Sequence, residues 1–467
     1  MNRLRRYGDR LRALVLGRYL LWMAALAAVA SALNFNARAM SGILAYYEDF
    51  KRIILARFNP AVATMHAPTF PMWGYGWLLV ATDNKIALII IQNLLALAAY
   101  WFFFHSAKRY QFFSPRALDL TKLALVLALP LYAFHAVLWP YSPSFSLLLA
   151  SFTLLGIALK RRPGHIDFGP LLLSGGVFGL MLNFRSDYCL LPFVIAATLL
   201  AVYRGSRASF ASSLIWLSSI YVMLVPWALY AHHVSGHYLF TSSNGGMAMY
   251  IGLGNLPGNV WRITPVDGDP SVHRIVAEAI GPGTNPLSAD ADPFLKRETM
   301  HLALADKGEY LRRLAYVLWK TLTGGVYQGE FYADASCGEG CRSVFVHRLT
   351  AIGLTRLPIA FLTGSLHGLS RVRVIGGMLT GVSYVYGVVT LLASYAAAPF
   401  CAFAAWRRRD LLPLLCVAII AFQTMINVFI YEAAYYSTNA YFMHLLNIGF
   451  AVHLLRDRRG STAAALA

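Results

Sequence analysis

Charge is what this sequence has least of. Only 13% of its 467 residues are Asp, Glu, Lys or Arg, about half the ~25% that wets the surface of a soluble domain. Without that coat, a chain of this length does not read as two or three soluble domains. Acidic residues are scarcer still, 21 against 40 basic ones, for a formal net charge of +19. Cysteine is rare, five residues in all, which excludes a disulfide-built scaffold. No internal repeat is evident, which weakens the case for an inverted-repeat transporter.

What is present instead is apolar sequence in long blocks. Hydrophobic residues make up 58% of the chain and the mean hydropathy is +0.54. Runs such as IALIIIQNLLALAAYWFFFH (86–105) and LLPLLCVAIIAFQTMINVFIY (411–431) match the ~20 residues that cross a bilayer core. Spans are expected near 19–38, 86–105, 118–137, 143–159, 168–184, 188–203, 209–230, 374–404, 411–431 and 437–455. The expected fold is therefore an all-α polytopic membrane protein of about ten transmembrane helices, at most twelve. The start imitates a secretory signal, with arginines, an apolar run and Ala30-Ser31-Ala32, but further spans behind it favour an uncleaved first helix.

The positive charge sits in short turns: Arg3, Arg5, Arg6, Arg10 and Arg12, then Lys108/Arg109/Arg116, Lys160/Arg161/Arg162, Arg204/Arg207, Arg407/Arg408/Arg409 and Arg456/Arg458/Arg459. The alternate turns WPYSPS (139–144) and EAAYYSTN (432–439) carry no basic residue. This asymmetry follows the positive-inside rule and puts both termini in the cytoplasm. The charge therefore reads as topology and attraction to anionic headgroups, with membrane lipids as partners. Nucleic acid is excluded as a partner.

Three regions follow: a membrane module with a first external loop (1–230, loop 39–85), a large external loop (231–373), and C-terminal helices with a short cytoplasmic tail (374–467). The large loop holds eleven of the 21 acidic residues, from Asp267 to Glu339. Within it, 293–323 has helical spacing, with Asp290 or Asp292 as N-cap. Trp319 and the basic Arg312, Arg313 and Lys320 suit a helix lying on the membrane surface. Residues 346–373 are apolar but interrupted by Arg348, Arg356 and Pro358, and read as interfacial or re-entrant. Cys189, Cys401 and Cys416 fall in or beside apolar spans, where a thiol acts as a small hydrophobe. Cys337 and Cys341, in ASCGEGCRS, are expected to form a disulfide outside the membrane. With His347 they would make only an incomplete metal site.

Carboxylates at a bilayer edge are costly unless used. On the outer side they are Glu48, Asp49, Asp83, Asp187 and Glu432, all near span ends, where they could converge on one cavity or simply balance nearby arginines. The first external segment reads LAYYEDFKRIILARF, then MHAPTFPMWGYGWLLVATDNK. An acidic pair past the first helix, an amphipathic stretch and a proline-rich turn resemble the C-type (GT-C) superfamily of membrane glycosyltransferases. That superfamily includes protein O-mannosyltransferases and lipid A aminoarabinose transferases. Asn183-Phe184-Arg185-Ser186-Asp187 leading to LLP (190–192), and SSNGGMAMYIGLGNLPGN (242–259), are similar to its later motifs. Many members carry a second acidic motif after the third span; HAVLWPYSPSF (135–145) has none, so no metal cofactor is expected.

The resemblance implies a GT-C-like fold and transfer of a sugar from a polyprenyl-phosphate-linked donor to a lipid, glycan or protein acceptor. Catalysis would be inverting and at the external face, in a bacterial inner membrane. It makes Asp49 the expected general base, with Glu48 the alternative. For the donor phosphate the expected contacts are Arg185, Lys85, Arg262 and His66, although Arg185 could pair with Asp187 and Lys85 could anchor its helix. Asn244, Tyr250, Asn255, Tyr435, Tyr436 and Asn439 are expected to line the substrate cavity. The competing readings are a lipid-linked glycan flippase or transporter and an O-antigen ligase or polymerase.

Overall fold

A computed structural model gives the fold, describing residues 16–34, 41–64, 67–82, 84–136, 138, 140–160, 166–203, 205–266, 268–323, 371–430 and 440–466. The protein is all-α; no strand occurs among the described residues. Its helices are α1 (Tyr19–Asn34), α2 (Ser41–Leu55), α3 (Gly74–Ala81), α4 (Lys85–Arg109), α5 (Pro115–Val126) and α6 (Leu129–His135). Then come α7 (Tyr141–Lys160), α8 (Phe168–Phe184), α9 (Leu191–Val202) and α10 (Arg207–Ser235). A helical lobe follows with α11 (Gly245–Gly252), α12 (Pro270–Ala279), α13 (Ala291–Ala305) and α14 (Lys307–Thr323). The chain ends with α15 (Arg371–Arg408), α16 (Leu411–Phe429) and α17 (Tyr441–Leu466).

Among the described residues, five helices are long and apolar enough to cross a membrane: Lys85–Arg109, Tyr141–Lys160, Arg207–Ser235, Val385–Arg408 and Leu411–Phe429. Four more expected spans coincide with shorter apolar helices. The expected span 118–137 is not one helix, because it breaks at Leu127–Ala128 between α5 and α6. Pro130 is the cause: it lacks an N–H, and its ring would clash with the carbonyl of Val126 in a continuous helix. α4 shows what the long helices are built for. Ile86, Ile90, Leu94 and Trp101 are exposed along one side, while Leu88, Gln92, Ala96, Tyr100 and Phe103 are buried on the other. Such an exposed apolar stripe is lipid-facing surface, and this is a membrane protein.

The core of the bundle runs through α4, α7, α8 and α10 on one side and α15, α16 and α17 on the other. Gly175 and Gly179, one helical turn apart on α8, let α10 approach closely. A Cβ on Gly175 would lie 2.6 Å from the Trp216 carbonyl oxygen, and one on Gly179 would lie 2.6 Å from that of Ile220. Small residues at this spacing are how membrane helices gain van der Waals contact. Gly176, between them, meets nothing within 4 Å. Gly179→Ala should therefore lower the melting temperature in detergent, by about 1–3 kcal/mol of overpacking. Gly176→Ala should leave it unchanged or raise it slightly, since alanine favours helix by about 1 kcal/mol. Equal effects of the two substitutions would show that the α8–α10 contact is not tight.

The segment expected as a large loop folds around a core of its own. Met247, Tyr250 and Ile251 of α11, Val272 and Val276 of α12, and Leu295 of α13 pack together with Ala67 from the stretch between α2 and α3. Burial pushes the Tyr250 hydroxyl above its ordinary pKa. Two carboxylates staple helix starts. Asp292 accepts from the Gly246 N–H and from Lys296 Nζ, both at 2.5 Å. Asp269 caps α12 by accepting from the Ser271 N–H at 2.7 Å. Partial burial opposes its ionisation, but hydrogen bonds from Ser271 and Thr264 outweigh it and hold this carboxyl below its usual pKa.

Two expectations about 293–323 need correction. The stretch is two helices, α13 and α14, broken at Asp306, whose carboxylate accepts from the Glu309 N–H at 3.0 Å. Asp306-Lys307-Gly308-Glu309 has the form of a capping box, a start signal inside what reads as one periodic run. The second correction concerns the basic residues. Trp319 and Arg312 are exposed, but Arg313 is buried, 1% accessible, and faces the protein instead of a membrane surface. Cys401 and Cys416 are buried free thiols. Cys337 and Cys341 lie outside the described residues.

Candidate functional site

Helix α2 separates two clefts. Successive helical residues turn by about 100°, so Tyr47 and Glu48 face different ways, whereas Glu48, Lys51 and Arg52 share one face. Accordingly Tyr46 and Tyr47 line the first cleft, and Glu48, Lys51 and Arg52 line the second. The helix is held in place by α3. Gly76 admits Phe50, whose Cβ would lie 2.8 Å from an added Cβ, and the rings of Tyr47 and Tyr75 meet edge to face at 5.1 Å. α3 is in turn fixed to the end of α8, where Trp73 Nε1 donates to Asn183 Oδ1 at 2.8 Å.

The first cleft, of about 160 Å³, lies between the ends of α7 and α8 and the helical lobe. Arg185 follows α8 in extended backbone conformation. Its guanidinium lies 3.5 Å from the centre of the Tyr141 ring and is ion-paired with Asp187. Beside it, Ser186 Oγ and Ser242 Oγ are 2.6 Å apart, and Ser242 donates to Asn244 Oδ1 at 2.5 Å. This chain ties the turn after α8 to the start of α11. His273 of α12 forms part of the opposite wall.

The second cleft, of about 300 Å³, is amphipathic. Glu48, Lys51, Arg52, Thr82, Asn84 and Lys85 form its polar wall, and Leu79, Leu88 and Leu138 its apolar one. Asn84 caps α4, its Oδ1 accepting from the Ile86 N–H at 2.8 Å and the Ala87 N–H at 3.4 Å. The positive end of a 25-residue helix therefore opens into the cleft beside Lys85. Asp49 stands behind Arg52. Its Oδ1 accepts from Thr64 Oγ1 at 2.9 Å and Arg52 Nη1 at 3.2 Å, and it is only 4% exposed.

The expected site residues thus separate. Glu48 and Lys85 share the second cleft, with Asp49 one residue removed through Arg52; Arg185 and Asn244 share the first. The outer acids do not converge on one cavity, since Glu48 and Asp187 belong to different clefts. Tyr250 and Asn255 are buried in the lobe and line neither cleft. Arg262 also lines neither: it is exposed, on a turn where its N–H donates to the Asn259 carbonyl at 3.2 Å. His66, Tyr435, Tyr436 and Asn439, like Asp83 and Glu432, lie outside the described residues. Lys51 and Arg52 were legible at three and four residues past Glu48 on one helix. Tyr46, Tyr141 and His273 carry no such local signal. Among the described residues no three metal-ligating side chains cluster. Comparison of the chain with family models, curated proteins and solved structures finds no match.

Proposed function

We propose that the protein is an inverting membrane glycosyltransferase using a polyprenyl-phosphate-linked sugar. The observation that carries this reading is the second cleft, where Lys51, Arg52, Lys85 and a helix N-terminus face three leucines. A lipid phosphate needs both halves: cations and the positive end of a helix for the anion, and apolar wall for the chain beside it. In the proposed reaction Glu48 takes the proton of the acceptor hydroxyl as its oxygen bonds to the anomeric carbon. The bond from that carbon to the phosphate oxygen breaks, and the phosphate leaves with the electron pair. Lys51, Arg52 and Lys85 hold the developing charge, so no acid catalyst is needed. A single displacement inverts the anomeric centre. Asp49, the base by resemblance, here orients Arg52 through a hydrogen bond.

The proposal includes ten crossings: the five long helices, the four shorter apolar ones and the broken α5–α6 pair, with both termini cytoplasmic as the basic turns direct. It also includes an active site at the external face of a bacterial inner membrane. The acceptor is a lipid, glycan or protein. Purified protein in detergent should transfer radiolabel from a lipid-linked sugar to an acceptor extract, and Lys85→Ala should reduce that transfer at least tenfold. Label that crosses vesicle membranes without being transferred would identify a flippase instead.

A further inference from the structure

The two clefts differ in charge, and that difference assigns their ligands. In the second, Lys51, Arg52 and Lys85 meet Glu48 in the cleft and Asp49 behind Arg52, so cations still outnumber carboxylates. In the first, the cation Arg185 is met by Asp187 at contact distance, so the pair is close to neutral while still offering donors and acceptors. Around it are the aromatic side chains Tyr46, Tyr47 and Phe70, with Tyr141 stacked against the guanidinium itself, and the uncharged polar Asn244. Arg185 itself is 7% exposed. We infer that the cleft around Arg185 binds an uncharged carbohydrate ring, and that α2 divides it from the lipid phosphate's cleft.

The chemistry of a sugar ring fits this wall. Its C–H faces pack on aromatic rings, which here stand roughly edge to face, Tyr46 against Phe70 at 5.2 Å. Its hydroxyls need donors and acceptors in fixed directions, which a paired guanidinium and carboxylate supply without drawing in an anion. The Ser186–Ser242–Asn244 chain fixes the amide in place. An anionic ligand would have to displace Asp187 from Arg185 or leave a carboxylate facing it. Only in naming the other cleft as the lipid phosphate's does the inference rest on the glycosyl-transfer reading; binding of the ring does not require it.

The test is direct binding to the full chain, purified in a detergent without sugar headgroups. Cellobiose, mannobiose and diacetylchitobiose serve as neutral probes, with glucuronate as the anionic one. Saturation-transfer NMR should detect at least one neutral disaccharide, and a titration should rank it above glucuronate. Asn244→Ala and His273→Ala should each weaken it about three- to tenfold, the span of one lost hydrogen bond. Asp187→Asn should raise glucuronate affinity about tenfold by leaving Arg185 uncompensated, a change that mere loss of structure would not produce. Preference of the unsubstituted protein for glucuronate, failure of every neutral probe, or indifference to all three substitutions would overturn the inference. Disaccharide binding without any transfer activity would uphold it and reject the glycosyltransferase reading; transfer without disaccharide binding would do the reverse.

Discussion

Arg313→Met should destabilise the protein by about 3–5 kcal/mol, the cost of leaving several buried carbonyls without their donor. Arg313 belongs to α14, but its guanidinium reaches out of that helix to three carbonyl oxygens. Nε donates to Gly252 at 2.9 Å, Nη2 donates to Ile430 at 3.2 Å, and Nη1 donates to Val428. Gly252 closes α11, and Val428 and Ile430 stand at the end of α16. The last carbonyls of a helix have no intrahelical partner, and the helix dipole makes that end negative. One cation therefore caps two helices and fastens the lobe to the membrane bundle. Methionine fills similar volume but leaves the carbonyls unmatched, at about 1–3 kcal/mol each where water cannot enter. Arg313→Lys keeps the charge with fewer directed donors and should fall between. Arg312, exposed and paired with Glu309 at 3.3 Å, is the control on the same helix. Its substitution by methionine should cost at most about 1 kcal/mol. Thermal unfolding in detergent and proteolysis of the lobe read both effects. Equal melting temperatures for the Arg312 and Arg313 variants would remove Arg313 from this role.

That residue also marks where sequence stops informing. The apolar blocks located the long helices because crossing length is a local property: about 20 apolar residues specify a span wherever they occur. The break at Pro130 was equally local and could have been read from the proline alone, as could the start of α14 from Asp306 and Glu309. Arg313 is different. Arg312 and Arg313 are neighbours of identical type, and one is exposed while the other is buried only because α11 and α16 arrive from 61 and 117 residues away. That the lobe has a core of its own was not legible for a related reason. Its core joins Ala67 to Val272 and Leu295, and no window of sequence contains that pattern. The clefts follow suit. Glu48, Lys51 and Arg52 share one helical face that their spacing would have revealed, but Lys85 joins them through the packing of α3, and Tyr141 meets Arg185 only through the bundle.

Glu48→Gln should reduce sugar transfer about 10²–10⁴-fold, the usual cost of losing a general base, with the Michaelis constant for the lipid-linked donor nearly unchanged. The amide keeps the shape of the side chain and its place in the cleft but cannot take the acceptor's proton. Asp49→Asn should act differently. Its carboxylate holds Arg52 and Thr64, and Arg52 faces the cleft. The neutral amide can still accept from Thr64 but no longer attracts the guanidinium, which is half exposed and therefore only partly screened from water. The donor's Michaelis constant should rise up to about tenfold, worth ~1.4 kcal/mol, with a smaller fall in turnover. The adjacent positions are distinguishable because their side chains leave the helix about 100° apart. Turnover abolished by Asp49→Asn with donor binding intact, and near-normal turnover in Glu48→Gln, would keep the mechanism and move the base to Asp49. Near-full transfer in both single variants and in the double variant would remove the acidic pair from the chemistry altogether.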